Sequence, residues 1–514
     1  MAELSETFKH LERDPQGGSQ HLLHLLETFL FPLLTALDEI LDKRLVRTLL
    51  QCLVAIISLR NHPQALWLSE LGSSLDGYAG YASSATAGTK RVGKLLRSVK
   101  WTVDVIDHYL LEKADEEVQN LKVQRKRILC IWDGSVLEKA ESEKLEGLCP
   151  VLSSKAKRRS RTKRGLVFNW PAVRPVRVMG MQWTAALIVG MQGLPHLALS
   201  RWWTTKGVFA TKLRDAEEEA LRVCVRKWGP LLVHVFDRGY ASGYWLHVLS
   251  QYRVRFVIRW IKKHVFLTLA GEEKKLWQIG QGKRYRAHKE IWDTTTGEKM
   301  SCDLWWSAVR HPQSGQPLFL VKARVKKGVM YLITNETVHT ETQAWEVFFT
   351  YRRRWQIEQS FRYAKCELAL ECPRLWSLEA RLKLLGMVML VYAFLLSLLD
   401  SSYQDLVAAL LRFRCHRTGK RCLNSQAPLY RLRWALSRLW NDYRPHLSCF
   451  IPLLMILSLS LPSFEISKGF RKIGDDSYHE EYPPPRPKRY NEGFGRPVAK
   501  PLMTTSWPSV GSSV

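Results

Sequence analysis

Four polar residues along a predicted helix form the most informative pattern in the sequence. Tyr351, Arg354, Glu358 and Lys365 lie at positions i, i+3, i+7 and i+14. At about 100° per residue, these offsets fall at roughly 0°, −60°, −20° and −40°, which is one narrow stripe about 21 Å long. A carboxylate that lies between two cations and a tyrosine is suited to bind a metal ion beside DNA phosphates.

Two aspartates each follow an apolar run that predicts a buried strand. Asp133 follows residues 128–132, and Asp237 follows residues 231–236. Together with Glu358 they supply carboxylate oxygens, the hard ligands that Mg²⁺ prefers. Two such ions about 3.5–4 Å apart can activate a nucleophile and stabilise the leaving oxygen of a phosphodiester. The sequence therefore predicts that the three acids are the catalytic, metal-binding residues of a two-metal site.

Each acid also has a simpler interpretation. An aspartate at the end of a strand is more often a turn or helix-cap residue than a metal ligand. Glu358 could form a helix salt bridge with Arg354 or Arg362, worth a few tenths of a kcal/mol. Glu138 and Asp293 compete for the acidic roles. The combination of residues, rather than any one of them, favours the metal site.

The motifs follow one another in a recognisable order. Asp-Gly-Ser lies at 133–135, Asp-Arg-Gly-Tyr at 237–240 and the spaced Tyr-Arg-Glu-Lys residues at 351–365. This order resembles the DDE transposases of bacterial insertion sequences, and the insertion sequence 4 family in particular, over roughly residues 90–400. The resemblance implies hydrolysis at the ends of the element to free a 3′ hydroxyl, which then joins target DNA. It also implies Mg²⁺ or Mn²⁺ as the cofactor.

The resemblance also implies a role for each residue of the motifs. Asp133 would bridge two metal ions, while Asp237 and Glu358 would each complete one site. Arginine would grip the terminal phosphate with paired hydrogen bonds, lysine as a point charge and tyrosine through its hydroxyl. The DNA-binding residues predicted in this region are Tyr351, Arg354, Lys365 and Arg238. The implied partners are double-stranded DNA, at the element ends and at the target, and a second copy of the chain in a homodimer.

The overall charge agrees with a DNA partner. The chain has 77 Lys and Arg against 48 Asp and Glu, a net charge of +29 and a pI of about 9.8. Such a field attracts polyanions, of which nucleic acid is the commonest. Binding to acidic lipid, or solubility alone, would account for the same charge. The hydrophobic fraction of 46% and the 20 tryptophans indicate a folded protein.

The sequence predicts a cytoplasmic protein, associated with the nucleoid when it is bound to DNA, and no membrane contact. Residues 1–6 are polar, so no signal peptide is expected. The apolar stretches at 384–399 and 451–461 are 16 and 11 residues long, short of the roughly 18–20 needed to span a membrane. Ten cysteines without a CxxC pair favour reduced thiols. Cys415, His416 and Cys422 lack the second ligand pair of a zinc site.

Two basic segments are predicted to contact DNA. Residues 89–98 read as a basic amphipathic helix within a helical N-terminal DNA-binding domain at 1–120. The loop at 153–164 contains seven Lys and Arg in twelve positions. A solvated surface would explain either segment as well. The predicted contacts are Lys90, Arg91, Lys94 and Arg97 in the helix and Lys157, Arg158 and Arg159 in the loop.

The fold class predicted is α/β, with a ribonuclease H-like catalytic core at 121–374. Strands that alternate with helices, with carboxylates at strand ends, are typical of such a core. The long interval between the second and third acids predicts a β-rich insertion at about 262–328. A helical C-terminal region is expected at 375–462, and a disordered basic tail at 463–514.

Other functions and one further role remain open at this stage. A ribonuclease H-like structure-selective nuclease without strand transfer would need the same acids. A domesticated DNA-binding protein without catalysis would retain the charge, although all three acids are present. Tyr331, Trp305 and Trp306 could stack on a flipped base during formation of a DNA hairpin, but core packing is the favoured interpretation of these residues.

Overall fold

The structure, a computed structural model, describes residues 13–447 apart from residues 61, 63, 76–83, 143, 154–157, 163–164, 169–175, 294–297, 327 and 416–428. Nothing is described of the side chains at 158–168 and 293. The predicted tail at 463–514 and the predicted contact Lys157 therefore lie outside the described residues, as do the side chains of Arg158 and Arg159. Of the three residues in the possible zinc knuckle, only Cys415 is described.

Helices make up the N-terminal part of the described chain. Three of them begin at a residue whose side chain accepts a hydrogen bond from the first turn. One of these is Asp42, which accepts from the Arg44 amide at 2.8 Å and so satisfies a backbone donor that the helix itself cannot pair. The helices are α1 (Pro15–Asp38), α2 (Lys43–Ser58), α3 (Leu68–Ser74), α4 (Ala85–Arg97) and α5 (Asp104–Val123).

A twelve-stranded mixed sheet follows, with helices on its connections. The strands are β1 (Ile128–Glu138), β2 (Cys149–Leu152), β5 (Arg177–Gly190), β6 (His196–Trp203), β7 (Val233–Phe236), β8 (Arg255–Arg259), β9 (Val265–Leu267), β10 (Glu273–Lys275), β11 (Ala287–Asp293), β12 (Glu298–Arg310), β13 (Pro317–Val325) and β14 (Gly328–Thr334). A separate hairpin pairs β3 (Arg158–Thr162) with β4 (Gly165–Phe168). The connecting helices are α6 (Leu213–Trp228), α7 (Gly243–Gln251) and α8 (Leu276–Ile279).

The strand order is β10-β9-β12-β13-β14-β8-β7-β1-β5-β2, with β11 beside β12 and β6 beside β5. β1 is antiparallel to β5 and parallel to β7, and β7 is parallel to β8. Because successive strand residues point to opposite faces, Leu129 and Ile131 pack in one core, whereas Cys130 and Trp132 pack in the other. The sheet is thus covered on both faces around its parallel centre.

The position of Asp133 within its strand differs from the prediction. The sequence predicts that the strand ends at residue 132, but β1 continues to Glu138. The extension forms because β5 is 14 residues long and pairs with β1 along its whole length, from Ile128 opposite Gly190 to Glu138 opposite Gly180. Asp133 therefore lies in the middle of β1 and not at its end.

The strands predicted for the insertion at 262–328 are observed, but they extend the central sheet. β13 pairs with β14, which in turn pairs with β8 beside the parallel strands. Tyr331, Trp305 and Trp306 lie on these strands and are 8%, 5% and 6% exposed. Burial favours core packing over base stacking for all three. The limits of the insertion, like those of the other domains, remain a prediction.

The single helix predicted over the Tyr-Arg-Glu-Lys motif is wrong. The segment forms two helices, α9 (Glu341–Arg352) and α10 (Trp355–Cys366), joined by a turn at Arg353 and Arg354. The Arg353 amide bonds both three and four residues back, and the Arg354 amide reaches back only three residues, to the Tyr351 carbonyl at 3.0 Å. Because this pattern winds the chain more tightly than an α-helix, the stripe calculated for one regular helix does not apply across the turn.

Helices complete the described chain, namely α11 (Leu378–Ser397), α12 (Gln404–Arg414) and α13 (Leu429–Asp442). They share one hydrophobic core with the N-terminal helices, and buried Arg433 donates to the Ile56 carbonyl at 2.6 Å. Among the described residues, α11 alone is long and apolar enough to cross a membrane, and 83% of its apolar window is buried inside the protein. Packing in the core accounts for its composition.

Candidate active site

Asp133 and Asp237 lie close together at the parallel centre of the sheet. Ile131 on β1 is opposite Val235 on β7. Asp133 comes two residues after Ile131 on β1, and Asp237 follows the last residue of β7. Because alternate residues of a strand share a face, Asp133 lies on the face of β1 on which Ile131 packs in the same core as α9 and α10, and the charge of Asp237 acts on it.

The Asp133 carboxylate is largely buried, with 18% of its side chain exposed. Oδ1 accepts a hydrogen bond from the Gly134 amide at 2.8 Å, and Oδ2 accepts one from Arg354 Nη1 at 3.1 Å. Burial raises the pKa of Asp133 to about 6, the charge of Arg354 opposes the shift, and the negative charges of Asp237 and Glu358 reinforce it. The three predicted acids are therefore close enough to interact electrostatically.

Arg354 joins two of these acids. Its Nη1 binds Asp133, and its Nη2 binds Glu358 Oε1 one helical turn further along the chain. The Arg354 side chain is only 11% exposed, whereas 42% of the Glu358 side chain is exposed. The pair with Glu358 is the helix salt bridge that the simpler interpretation of the sequence offered. The contact with Asp133 ties the turn before α10 to the centre of the sheet.

Lys365 contacts the same strand. Its Nζ donates to Ser135 Oγ at 2.7 Å, and Ser135 lies two residues beyond Asp133 on the same face of β1. The lysine is thus placed about 7 Å along the strand from the aspartate, at roughly 3.3 Å per residue. Of the four motif residues, Arg354 contacts two of the acids and Lys365 contacts the strand that carries Asp133.

Tyr351 is more buried than its predicted role requires. It is 6% exposed, and its ring centroid lies 5.9 Å from the guanidinium carbon of Arg354. Burial raises the pKa of Tyr351, while the charges of Arg354 and Arg259 oppose the shift. Tyr351 could contact DNA directly only if the residues that bury it moved. In this conformation it packs against Arg354.

Asp237 also acts as a cap. Its Oδ1 accepts a hydrogen bond from the Gly239 amide at the start of a short 3₁₀ turn, Arg238–Tyr240. The interpretation of Asp237 as a turn or cap residue is therefore correct, and it does not exclude a second role as a metal ligand. Arg238, beside it, is exposed to solvent.

A fourth carboxylate, Glu217 on α6, lies close enough to Asp133 for their charges to interact, although the sequence did not predict it as a site residue. Burial raises its pKa to about 7, the Tyr240 hydroxyl and the Arg214 charge oppose the shift, and the charge of Asp133 adds to it. Glu217 belongs to a run of acidic residues at 215–219 that reads as a solvated helix face. Nothing in that run distinguishes the one glutamate that packs towards the aspartates.

The predicted DNA-binding helix is α4, which lies against α3. Lys90, Lys94 and Arg97 are exposed on it, and Arg91 is half-buried. The two helices touch through their backbones, because a Cβ at Gly88 would lie 2.0 Å from the Gly72 carbonyl oxygen.

Of the two acids that competed in the sequence, Glu138 lies away from the aspartates. Glu138 is buried at the end of β1, where its Oε2 accepts from Ser153 Oγ at 3.0 Å. The side chain of Asp293 lies outside the described part of the chain.

The donor set has the chemistry that a divalent cation requires. Asp133, Asp237 and Glu358 offer hard oxygen ligands, and the mutual charge that raises the pKa of Asp133 is what a cation would neutralise. Among the described residues, however, no three His, Cys, Asp or Glu side chains already converge as a metal-binding group. Arg354 lies between Asp133 and Glu358 and provides the positive charge there.

Comparisons with known proteins add one informative match. No curated protein matches the chain. A solved structure, the cryo-EM structure of a piggyBac transposase synaptic complex with hairpin DNA, is 12% identical over 83% of this chain and 74% of that chain, with a TM-score of 0.38. That similarity is too low to support an argument. The family model of the transposase DDE domain matches residues 215–394, which include Asp237 and Glu358 and begin after Asp133. Residues 215–394 are therefore similar to a transposase DDE domain.

Proposed function

We propose that the protein is a DDE transposase of the insertion sequence 4 type. It cleaves DNA at the ends of its own element and joins the freed 3′ hydroxyl to target DNA by two-metal phosphoryl transfer. The observation that carries the proposal is that Asp133 on β1 lies close to Asp237, which directly follows the neighbouring parallel strand β7, with Glu358 joined to Asp133 through Arg354. Asp133 lies outside the family match, so its place beside Asp237 is independent support.

The sheet topology supports a ribonuclease H-like core. β1 and β7 are adjacent parallel strands, with Asp133 on the first and Asp237 directly after the second, and α10 carries Glu358, whose charge acts on Asp133. A phosphodiester bound there would meet acids from three elements that are distant in sequence.

The residues fit Mg²⁺ or Mn²⁺, with Asp133, Asp237 and Glu358 as the ligands. When bound, two ions would activate the attacking oxygen and stabilise the leaving oxygen. The surrounding side chains position the DNA. Arg354 is suited to a paired contact with a phosphate, and Lys365 supplies a point charge beside β1. The buried ring of Tyr351 packs against the guanidinium of Arg354 and helps to hold it in place.

The DNA extends from this site over the basic surface. The exposed cations of α4 and Arg238 contact its backbone, as do Lys157, Arg158 and Arg159 in the basic segment at 153–164, where β3 replaces part of the predicted loop. The substrate is double-stranded DNA at the element ends and at the target, and a homodimer holds two ends together. Contacts of this kind give affinity and register rather than sequence recognition.

The test combines cleavage with strand transfer. The full chain is incubated with Mg²⁺ or Mn²⁺, a labelled duplex that spans one boundary of the element, and a target plasmid. Cleavage at the boundary followed by joining of the label to the plasmid is expected. The variant Asp237→Asn should show neither step, whereas Asp405→Asn, the same change at an exposed position on α12, should behave like the wild type. Cleavage without joining would support a nuclease instead.

A further inference from the structure

We propose that Arg354 couples metal binding to DNA binding: its guanidinium occupies the space between Asp133 and Glu358 until a DNA phosphate draws it away. The proposal rests on the proposed function, and it adds an order of events. The acids accept divalent ions readily only after DNA has bound. In the free protein the arginine keeps the site closed to metal.

The contacts of Arg354 make metal and guanidinium alternatives. Nη1 binds Asp133 Oδ2 at 3.1 Å, and Nη2 binds Glu358 Oε1. The guanidinium therefore lies between the two carboxylates. Because its positive charge repels a cation, and because an ion that bridges the two carboxylates would occupy the same place, such an ion must displace the guanidinium.

One nitrogen of the Arg354 side chain is not satisfied where it lies. Its Nε is buried and has no hydrogen-bond partner among the described residues, which is unfavourable for a polar group shielded from water. Its backbone belongs to the turn between α9 and α10 rather than to a regular helix. The side chain can therefore gain a hydrogen-bond partner for Nε by moving, and its backbone lies in a turn rather than inside a regular helix.

A phosphate supplies what the present contacts lack. Two parallel hydrogen bonds from a guanidinium match the oxygens of a phosphate. Lys365 lies on the same face, at Ser135, so a phosphate that arrives between the two cations is attracted by both. Glu358, the more exposed of the two acids, marks the side from which DNA approaches.

The coupling has a thermodynamic signature. If DNA removes Arg354 from the acids, DNA must raise the affinity for metal, and metal must raise the affinity for DNA by the same factor. Without the arginine, both effects should disappear, and the free protein should bind metal as well as the DNA complex does.

The experiment measures Mn²⁺ binding by electron paramagnetic resonance with the full chain. The DNA is a pre-cleaved duplex end of the element, so that no bond is broken during the titration. For the wild type, DNA should raise the Mn²⁺ affinity. For Arg354→Met, which keeps the side-chain volume, the DNA-free affinity should rise by roughly five- to 150-fold, the usual range of coupling between sites, and DNA should add little more.

A matched control comes from Arg362, an exposed residue one turn beyond Glu358 on α10. Arg362→Met removes the same charge near the same helix and should change Mn²⁺ affinity far less. An unchanged or weaker Mn²⁺ affinity in folded Arg354→Met overturns the proposal. If that variant does not fold, the wild type decides, because a DNA-free affinity equal to that of the complex also overturns it.

A different variant tests whether the three acids bind metal at all. Asp133→Asn should bind Mn²⁺ more weakly than the wild type, with or without DNA. Wild-type Mn²⁺ affinity in Asp133→Asn would remove this acid from the metal site, and the proposed function would lose its basis. If Asp133→Asn binds Mn²⁺ more weakly, as expected, but Arg354→Met binds it no more tightly than the wild type, the coupling through Arg354 is overturned and the proposed function still stands.

Discussion

The amine of Lys365 donates a 2.7 Å hydrogen bond to the hydroxyl of Ser135, which lies two residues beyond Asp133 on β1. This contact links the C-terminal turn of α10 to the strand that carries one aspartate. The salt bridge of Arg354 makes a second link at the other end of the same helix. Glu358 lies between the two links, so its position relative to Asp133 is set from both sides.

Lys365→Ala should reduce end-specific cleavage and joining by about ten- to a hundredfold, because a charge-assisted contact with phosphate is worth roughly 1.5–3 kcal/mol. Ser135→Ala keeps the cation and should cost less. Product formed from a labelled element end measures both. Equal losses in the two variants would indicate that the hydrogen bond between them, rather than a phosphate contact, is what matters.

Asp133→Asn, Asp237→Asn and Glu358→Gln should each abolish cleavage, since each removes a charge on which a metal ligand depends. DNA binding in gel shifts should persist, because the basic surface is unchanged. Cleavage at the wild-type rate by any one of the three would exclude that residue from the metal site.

Binding to DNA should weaken steeply with salt, because neutralised phosphates release their counterions. The slope of log K against log salt is expected to be about −0.9 for each phosphate contact. Lys94→Gln on α4 should reduce the slope by about one contact, and Lys122→Gln, an exposed lysine at the end of α5, should leave it unchanged. Identical slopes in the two variants would place the DNA away from α4.

Glu27 gives a prediction about stability that does not depend on the active site. Burial in α1 raises the pKa of Glu27 to about 7 from 4.5. The folded state therefore binds more protons than the unfolded state between these values, so the contribution of Glu27 lowers the free energy of unfolding as pH rises from about 4.5 to about 7. Glu27→Gln should remove a penalty of at most about 3 kcal/mol above pH 7.

Chemical denaturation at pH 5 and pH 8 measures this effect. Glu39→Gln, at the exposed end of the same helix, is the control and should not alter the difference between the two values. If Glu27→Gln gained no stability at pH 8 relative to the wild type, the buried carboxylate would have to be compensated by a partner that forms in solution.

The sequence predicted most of what depends on local patterns. Apolar runs located the strands before Asp133 and Asp237, and helical spacing located the segment with Glu358. The length of β1 could not be predicted from the local sequence, because it depends on pairing with β5, about 40 to 60 residues away along the chain. The turn at Arg354 and the burial of Glu217 likewise depend on contacts with distant elements, which no local spacing encodes.

The close approach of α3 and α4 has a consequence for how this protein can diverge. A Cβ at Gly72 would meet the Thr89 amide nitrogen at 2.3 Å, and one at Gly88 would meet the Gly72 carbonyl oxygen at 2.0 Å. Replacing either glycine would force the helices apart by about the width of a methyl group and shift the basic face of α4. Relatives in which these two helices pack in the same way should therefore keep glycine at both positions, and lineages that lose one should have changed the other side of the contact as well.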